Sequence, residues 1–204
     1  MIAIIDYGMG NLRSVQKALQ SVGAESVITA LPEEVERADK VVLPGVGAFG
    51  DAVKELRARG LLEPIATHIK KGKIFLGLCL GMQLLFSESQ ESPSTQGFSL
   101  LPGCVKKFAF TTKACKVPHM GWNQIRIKSC PLFAGIPDGS YMYFVHSYYA
   151  EPADDDVVVA TADYGTTFAA AVWKDNVFAM QFHPEKSQQR GLQVLKNFIA
   201  LPKE

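Results

Sequence analysis

Short apolar runs alternate with segments of helical periodicity through the first half of the chain. The run IAIID precedes NLRSVQKALQSVG and the run VVLPG precedes DAVKELRARG, in which apolar residues recur every three or four positions. A third run, KIFLGL, is followed by a predicted helix that starts near Cys79. This order is typical of β-α-β units. Because the runs are apolar almost throughout, we expect a mainly parallel sheet with helices on both faces.

The pattern changes after the polar segment SESQESPSTQG, which we interpret as a loop. Closely spaced β-like runs follow, and then a last helical pattern: CVKKFAF, QIRI, YMYFVHSYYA, VVVATA, FAAAVWKDNVFAMQF and finally SQQRGLQVLKNFIA. These runs predict antiparallel additions in the C-terminal half. The expected fold class is therefore α/β, with a mixed, mainly parallel central sheet. At 204 residues and 48% hydrophobic content, we expect residues 1–204 to form a single domain.

Composition and charge exclude several classes of protein. Lys and Arg total 21 against 20 for Asp and Glu, a net charge of +1, which does not predict a partner with a phosphate backbone. No apolar run approaches the roughly 18 residues of a membrane span, and no basic segment precedes the short N-terminal apolar run. We therefore expect a cytoplasmic protein with no membrane or nucleic-acid partner. Its four cysteines contain no C-x-x-C pair, so we expect free thiols and no metal site.

Cys79 stands in the pattern G-x-C-x-G between a predicted strand and a predicted helix. Flanking glycines allow the sharp turn of a nucleophile elbow, and the start of a helix favours a thiolate. The alternative is that Cys79 is a small core residue, as most free cysteines are.

His183 and Glu185 follow the apolar run FAMQF. Alternate residues of an extended segment point the same way, so a carboxylate could orient the imidazole as a general acid or base. A lone histidine on a strand is more often structural, and His68, which has no acidic neighbour in sequence, is set aside on that ground.

The glycines of LPGVGAFG have the spacing Gly45-x-Gly47-x-x-Gly50 of a dinucleotide fingerprint. That fingerprint also needs an acidic residue at the end of the next strand, about 20 residues on. The segment at that distance, EPIATHIKKG, is helical in pattern. We therefore expect neither NAD nor another cofactor.

The segments GLCLGMQLL and QFHPE together resemble the signature pair of the class I glutamine amidotransferases. The segments DYGMGNLRSV, LPGVGAFGDAV, VPHMGWN and YFVHSYY, spread over nearly the whole chain, resemble the glutaminase subunits of imidazole glycerol phosphate synthases in histidine biosynthesis. This resemblance implies a triad that hydrolyses glutamine to glutamate and ammonia. Cys79 would be the nucleophile, His183 the base and Glu185 the acid that orients the base.

The resemblance also implies how glutamine is held and how the reaction is stabilised. Contacts with glutamine fall on Gln83 and on the stretch His146, Ser147 and Tyr148. In this interpretation the glycine-rich segment lets a backbone N–H face the tetrahedral oxyanion. The expected donors are the N–H of Gly47 or Val46 and the N–H of Leu80.

A partner is implied because the sequence has no Walker A loop or other obvious site for an ammonia acceptor. The resemblance names a cyclase subunit, a (β/α)8 barrel, in a heterodimer. Asn11, Tyr143 and Lys186 match positions that face the partner, although Tyr143 could equally be a strand aromatic and Lys186 a solvated charge.

Two alternatives remain open: another class I amidotransferase or stand-alone thiol hydrolase, and a nucleotide-binding or scaffolding domain. The segment VPHMGWN favours the synthase subunit over a generic thiol hydrolase.

Overall fold

The computed structural model describes residues 1–110 and 115–202. The strands are, in chain order, β1 (Ile2–Ile5), β2 (Ser26–Thr29), β3 (Lys40–Gly45), β4 (Ile74–Cys79), β5 (Phe86–Ser89), β6 (Leu101–Lys107), β7 (His119–Ile127), β8 (Tyr141–His146), β9 (Tyr148–Pro152), β10 (Val158–Asp163), β11 (Thr167–Lys174) and β12 (Val177–Met180). The helices are α1 (Leu12–Ser21), α2 (Pro32–Arg37), α3 (Phe49–Ala58), α4 (Leu62–Lys70), α5 (Leu80–Gln83) and α6 (Gln188–Ala200). None of the helices in these described ranges is long and apolar enough to cross a membrane.

The large sheet has a parallel half and an antiparallel half. Its order is β2-β1-β3-β4-β12-β11-β10-β7-β8. Strands from β2 to β12 in this order pair in parallel, and those from β12 to β8 pair antiparallel. The expected α/β class with a mixed sheet and antiparallel additions in the C-terminal half is confirmed.

A second sheet of three strands, β5-β6-β9, was not anticipated from the sequence. The run YMYFVHSYYA, interpreted as one β segment, divides at Ser147, so that β8 joins the large sheet and β9 joins the small one. The predicted loop SESQESPSTQG also begins inside β5. The hydrophobic pattern does not predict this strand, because Ser87 and Glu88 are polar and are not buried.

Alternate residues of the parallel strands pack into two hydrophobic cores, one on each face of the sheet. In β1, Ile2 and Ile4 belong to the core covered by α1 and α6, whereas Ala3 and Ile5 belong to the core covered by α2, α3 and α4. This follows from the two-residue side-chain period of a strand. The prediction that both faces of these strands are buried is thus confirmed.

The parallel register brings three distant chain segments to one edge of the sheet. Gly45 at the end of β3 pairs with Cys79 at the end of β4, and Leu78 pairs with Met180 at the end of β12. The segments that leave these strands therefore lie side by side at the carboxyl edge, where ligands bind in open α/β sheets.

Lys40 holds the end of α6 against β3. It is 3% exposed, and its Nζ donates to the carbonyls of Phe198, Ile199 and Leu201 at 2.8, 2.9 and 2.7 Å. Carbonyls in the last turn of a helix lack intrahelical partners, and a cation there also meets the negative end of the helix dipole. This side chain therefore ties α6 to β3, an interior strand of the large sheet.

We expect Lys40→Met to lower the free energy of unfolding by about 2–3 kcal/mol, because buried carbonyls lose a charged donor. Lys54→Met on the exposed face of α3 is the matched control and should stay within about 0.5 kcal/mol of the parent. Urea unfolding of both variants checks this. Equal changes in the two variants would show that the Lys40 contacts do not stabilise α6.

Candidate active site

Cys79 lies at a sharp junction between β4 and α5, where the sequence predicts a nucleophile elbow. Its backbone has φ 53° and ψ −106°, a strained conformation for a residue with a side chain. The neighbouring glycines are required by close packing. A Cβ at Gly81 would lie 1.9 Å from the Leu43 carbonyl oxygen, and one at Gly77 would lie 2.6 Å from the Gly81 carbonyl oxygen.

His183 and Glu185 form a buried pair as expected, but they do not lie on an extended segment, since residues 184–186 form a 3-10 turn after β12 ends at Met180. Nδ1 of His183 lies 2.9 Å from Oε1 of Glu185, and the two side chains are 4% and 2% exposed. Nε2 of His183 is buried and has no hydrogen-bond partner among the described residues. The ring is thus oriented through one nitrogen and leaves the other for chemistry.

The electrostatic surroundings of His183 favour the imidazolium form. Burial by itself lowers the pKa of His183, but negative charge on the nearby Cys79 and the hydrogen-bonded carboxylate of Glu185 outweigh burial and raise it to about 10. His183 therefore holds a proton on both ring nitrogens near neutral pH.

A cavity of about 310 Å³ opens beside Cys79. Its lining residues come from the ends of β3, β4 and β8 and from the loops nearby: Val46, Gly47, Cys79, Leu80, Gln83, Glu91, Pro118, Val145, His146, Ser147 and Tyr148. The cavity brings together every residue that the sequence assigns to the oxyanion site and to glutamine binding. His183 and Glu185 are not among the lining residues.

The segment after β3 contains a glycine in the left-handed backbone region. Gly47 has φ +101°, a backbone conformation that would strain any other residue, and the flexible end of the Met9 side chain is 2.6 Å from where a Cβ would lie. Val46 is 41% exposed, whereas Leu80 is buried at the start of α5. The backbone of both segments borders the cavity, and their role as oxyanion donors stays a prediction.

The side chains of Gln83 and His146 both donate a hydrogen bond to the same backbone carbonyl. Nε2 of Gln83 donates to the Tyr148 carbonyl at 2.9 Å, and Nδ1 of His146 donates to the same oxygen at 2.8 Å. Both residues therefore build the cavity wall as well as lining it. Ser147 lies between His146 and Tyr148 in sequence and also lines the cavity.

A second histidine, His119, supports His146, and sequence analysis missed it. Nε2 of His146 lies 3.0 Å from Nδ1 of His119, whose Nε2 lies 3.3 Å from Nδ2 of Asn123. Burial lowers the pKa of His119 to about 4. Burial and the proximity of His119 and His183 lower the pKa of His146 to about 3. Both rings are neutral at pH 7, and each carries its proton on Nδ1, since the Tyr148 carbonyl cannot donate.

Three further residues at the site carry no signal in the sequence. Glu91 lines the cavity, and its Oε2 accepts from the Phe49 N–H at the start of α3 at 2.7 Å, although its segment was interpreted as a polar loop. Gln181 contacts the sulfur of Cys79. The hydroxyl of Tyr7 is buried without a partner among the described residues, and burial together with negative charge on Cys79 raises its pKa.

Two of the predicted partner-facing residues adjoin the base. Nζ of Lys186 lies 5.7 Å from the ring centre of Tyr143, and the Tyr143 carbonyl accepts from the His183 N–H at 2.9 Å. Asn11 is exposed just before α1, a helix that packs against the 3-10 turn Pro184–Lys186. Their role in partner binding stays a prediction.

A strained thiol at a strand–helix junction, with a buried imidazole–carboxylate pair at the same edge of a mixed α/β sheet, defines a thiol-dependent hydrolase or acyl transferase. Comparison with known families makes this class specific. The chain belongs to the class I glutamine amidotransferases, since the model of the family "Glutamine amidotransferase class-I" matches residues 3–201. The family resemblance inferred from GLCLGMQLL and QFHPE is thereby confirmed.

Close relatives extend over the whole chain. The imidazole glycerol phosphate synthase subunit HisH of Syntrophotalea carbinolica is 58% identical over 97% of this chain and 98% of that protein. The protein of the same name from Geobacter metallireducens is 56% identical over 97% and 96%. The one from Methanothermobacter thermautotrophicus is 54% identical over 98% of both.

Solved structures share the fold at lower identity. A crystal structure of a glutamine amidotransferase superposes with a TM-score of 0.75 at 20% identity, covering 97% of this chain and 98% of the other. PurLQS from Thermotoga maritima gives a TM-score of 0.75 at 21% identity, covering 97% and 96%. These structures support the fold described above.

We expect Glu185→Gln to destabilise the protein in a pH-dependent way. Cys79 and Glu185 together raise the pKa of His183 to about 10 in the folded state from its usual 6.5, so the part that Glu185 contributes is fully present below about pH 6.5 and is lost as the pH rises through about 10. The difference in unfolding free energy between the parent and Glu185→Gln should therefore shrink between pH 6.5 and 10.5. Urea unfolding at both values measures it, and a difference that grows with pH would contradict the charged pair.

Proposed function

We propose that this chain is the glutaminase subunit of an imidazole glycerol phosphate synthase. It hydrolyses glutamine to glutamate and ammonia and supplies the ammonia to a separate cyclase subunit. The observation that carries this proposal is the single cavity that joins the strained Cys79 to Glu91 and to the segment 146–148. The names of relatives 54–58% identical support the choice of synthase.

In the first half of the reaction, the thiolate of Cys79 attacks the carboxamide carbon of glutamine. As the S–C bond forms, negative charge moves to the carbonyl oxygen, where the N–H of Leu80 and the N–H of Val46 or Gly47 stabilise it. His183 then gives its proton to the departing nitrogen, the C–N bond breaks, and ammonia leaves a γ-glutamyl thioester. Glu185 keeps the ring oriented during this transfer.

In the second half, His183 is neutral and accepts a proton from water. The water oxygen bonds to the thioester carbon, the C–S bond breaks, and glutamate leaves. The thiolate and the imidazolium are restored together. The raised pKa of His183 supports this cycle because the ring regains its charge near neutral pH.

The cavity has a charge suited to an amino acid. Glu91 is the acidic member of its lining and lies beside the start of α3, where it accepts from the Phe49 N–H. A carboxylate there would bind the α-ammonium group of glutamine, while Gln83, His146, Ser147 and Tyr148 enclose the side chain. This arrangement uses both ends of the substrate to position its carboxamide.

The partner would be a cyclase subunit, a (β/α)8 barrel, which forms a heterodimer with this chain and produces imidazole glycerol phosphate and aminoimidazole carboxamide ribotide. Large exposed apolar side chains on β7 and β8 support a docking face: Met120 is 67%, Trp122 46% and Tyr141 54% exposed. Tyr143 and Lys186 adjoin this face, since the Tyr143 ring lies 6.0 Å from that of Trp122.

The proposal includes two further expectations. Residues 1–204 act as one glutaminase domain, and the two cores support this because each contains residues from both halves of the chain. The protein works in the cytoplasm, where its four free cysteines would remain reduced.

We expect the isolated chain to hydrolyse glutamine slowly and the cyclase bearing its ribotide ligand to raise kcat about 100- to 1,000-fold, with little change in KM. The reason is that the glycine-rich segment can turn a backbone N–H toward the oxyanion or away from it, and one such donor is worth about 2.7–4 kcal/mol. Glutamate release should be measured for the chain alone, with empty cyclase and with liganded cyclase.

Cys79→Ala is the control for this assay. It should abolish glutamine hydrolysis, while its complex with the cyclase still forms product from ammonium salts. Retained glutaminase activity in Cys79→Ala would overturn the triad. If the parent chain hydrolysed glutamine with the synthase partner of a different amidotransferase, and not with this cyclase, the chain would be assigned to another class I amidotransferase.

We expect Glu91→Gln to raise KM for glutamine about 10- to 100-fold with kcat nearly unchanged, because a charged hydrogen bond to the ammonium group is worth about 1.5–3 kcal/mol. The amide oxygen of the new side chain can still accept from the Phe49 N–H, so α3 keeps its cap. Glu88→Gln, on the exposed side of β5, is the matched control. An unchanged KM in Glu91→Gln would remove Glu91 from substrate binding.

A further inference from the structure

Gln181 places a fully buried amide between the nucleophile and the cavity wall. It follows β12, is 0% exposed, and its backbone N–H donates to the Ala170 carbonyl at 2.8 Å. Its side-chain Nε2 lies 3.4 Å from Sγ of Cys79, and its Oε1 lies 3.0 Å from Nε2 of Gln83. The side chain is therefore held at both ends.

The hydrogen-bond network decides which end of the Gln181 amide faces the sulfur. The Tyr148 carbonyl can only accept, so the side chain of Gln83 must present its NH₂ group there. The other hydrogen of the same nitrogen meets Gln181, which must present its oxygen. Its nitrogen consequently faces Cys79. If the Gln181 amide were reversed, its NH₂ group would face the NH₂ group of Gln83; if the Gln83 amide were reversed, its oxygen would face the Tyr148 carbonyl oxygen.

The sulfur thus receives a donor that is independent of the base. Nε2 of His183 has no hydrogen-bond partner among the described residues, whereas Sγ of Cys79 accepts from Gln181 and lies 4.0 Å from the Val145 carbonyl. A hydrogen bond donated to sulfur stabilises the thiolate more than the thiol, since the charged acceptor bonds more strongly.

We propose that Gln181 is a catalytic residue that stabilises the Cys79 thiolate by donating a hydrogen bond to its sulfur, and that Gln83 is a positioning residue that holds Gln181 in the donating orientation. This inference rests on the proposed function in so far as Cys79 is taken as the nucleophile. It adds a fourth side chain to the triad and gives Gln83 a task other than contact with glutamine.

Alkylation of Cys79 by iodoacetamide tests the first half of the proposal, because only the thiolate reacts. The rate is measured from pH 4 to 10 on the full chain, with peptide-resolved mass spectrometry to separate Cys79 from Cys104, Cys115 and Cys130. In Gln181→Met, which removes the donor with little change of shape, the pH midpoint should rise by about one to two units. Gln193→Met, which removes an amide from α6, is the matched control and should leave the midpoint unchanged.

Gln181→Glu is a second variant that keeps an acceptor for Gln83 but places an oxygen against the sulfur. Its midpoint should rise at least as far as that of Gln181→Met, and thermal unfolding of both variants identifies either one that does not fold. A midpoint equal to that of the parent in a folded Gln181 variant would overturn the proposal.

A double-mutant cycle tests the second half. Gln83→Met should raise the midpoint in the parent but add nothing in the Gln181→Met background, because Gln83 acts on the sulfur through Gln181. Additive shifts would overturn the positioning role of Gln83.

Failure of this inference and failure of the proposed function are distinguishable, because alkylation requires no glutamine. An unshifted midpoint with normal glutaminase activity would overturn the inference alone. A shifted midpoint in a chain that hydrolyses no glutamine with its cyclase would overturn the proposed function and leave the sulfur contact standing.

Discussion

The close approach of α5 to β3 is the constraint on which the rest of the site depends. At Gly81 the backbone lies so near the Leu43 carbonyl that a Cβ would be 1.9 Å from its oxygen. Because the chain is pressed against β3 immediately after β4, it must turn at Cys79, which takes up a strained backbone conformation with φ 53°. Such strain costs about 1–3 kcal/mol, and the fully buried strands β3 and β4 on either side supply the packing that maintains it. The result is a sulfur that borders a cavity although it belongs to the end of a core strand.

The position of β12 explains how the base reaches this sulfur from about a hundred residues away in sequence. This strand pairs in parallel with β4 and antiparallel with β11, so it joins the two halves of the large sheet. Its carboxyl end lies at the same edge as the ends of β3 and β4, which is where a sheet of this kind accommodates ligands. The chain beyond Met180 then has Gln181 directed to the sulfur and His183 directed to Glu185. One strand therefore supplies both a donor to the nucleophile and the oriented imidazole.

Sequence analysis could predict those parts of the fold and site that depend on neighbouring residues. The β-α-β order and the turn at Gly77-x-Cys79-x-Gly81 follow from spacings of two to four residues. The pair His183 and Glu185 was expected from the alternation of an extended segment, whereas the structure forms it across a 3-10 turn. The roles of Gln181, Glu91 and His119 could not be read in this way, since their partners lie 102, 42 and 27 residues away and depend on strand order. The helix after Cys79 was located correctly, but its four-residue length follows from the pairing of Phe86 with Leu101 in the small sheet. An apolar continuation such as LLF gives no sign of that pairing.

The histidines of the site differ in charge because they differ in partners. His183 faces a carboxylate and the sulfur, which hold it positive, whereas His146 faces a carbonyl and the ring of His119, which offer nothing to balance a charge. Positive charge on His183 itself helps to keep His146 neutral. Because His146 and His119 are neutral, His146 can donate its N–H to the Tyr148 carbonyl without placing a second cation beside His183. That carbonyl accepts from His146 and Gln83 together, and through Gln83 it fixes which end of Gln181 meets Cys79. A carbonyl oxygen with no proton to give thus determines the polarity of the hydrogen bonds that lead from Gln83 through Gln181 to the nucleophile.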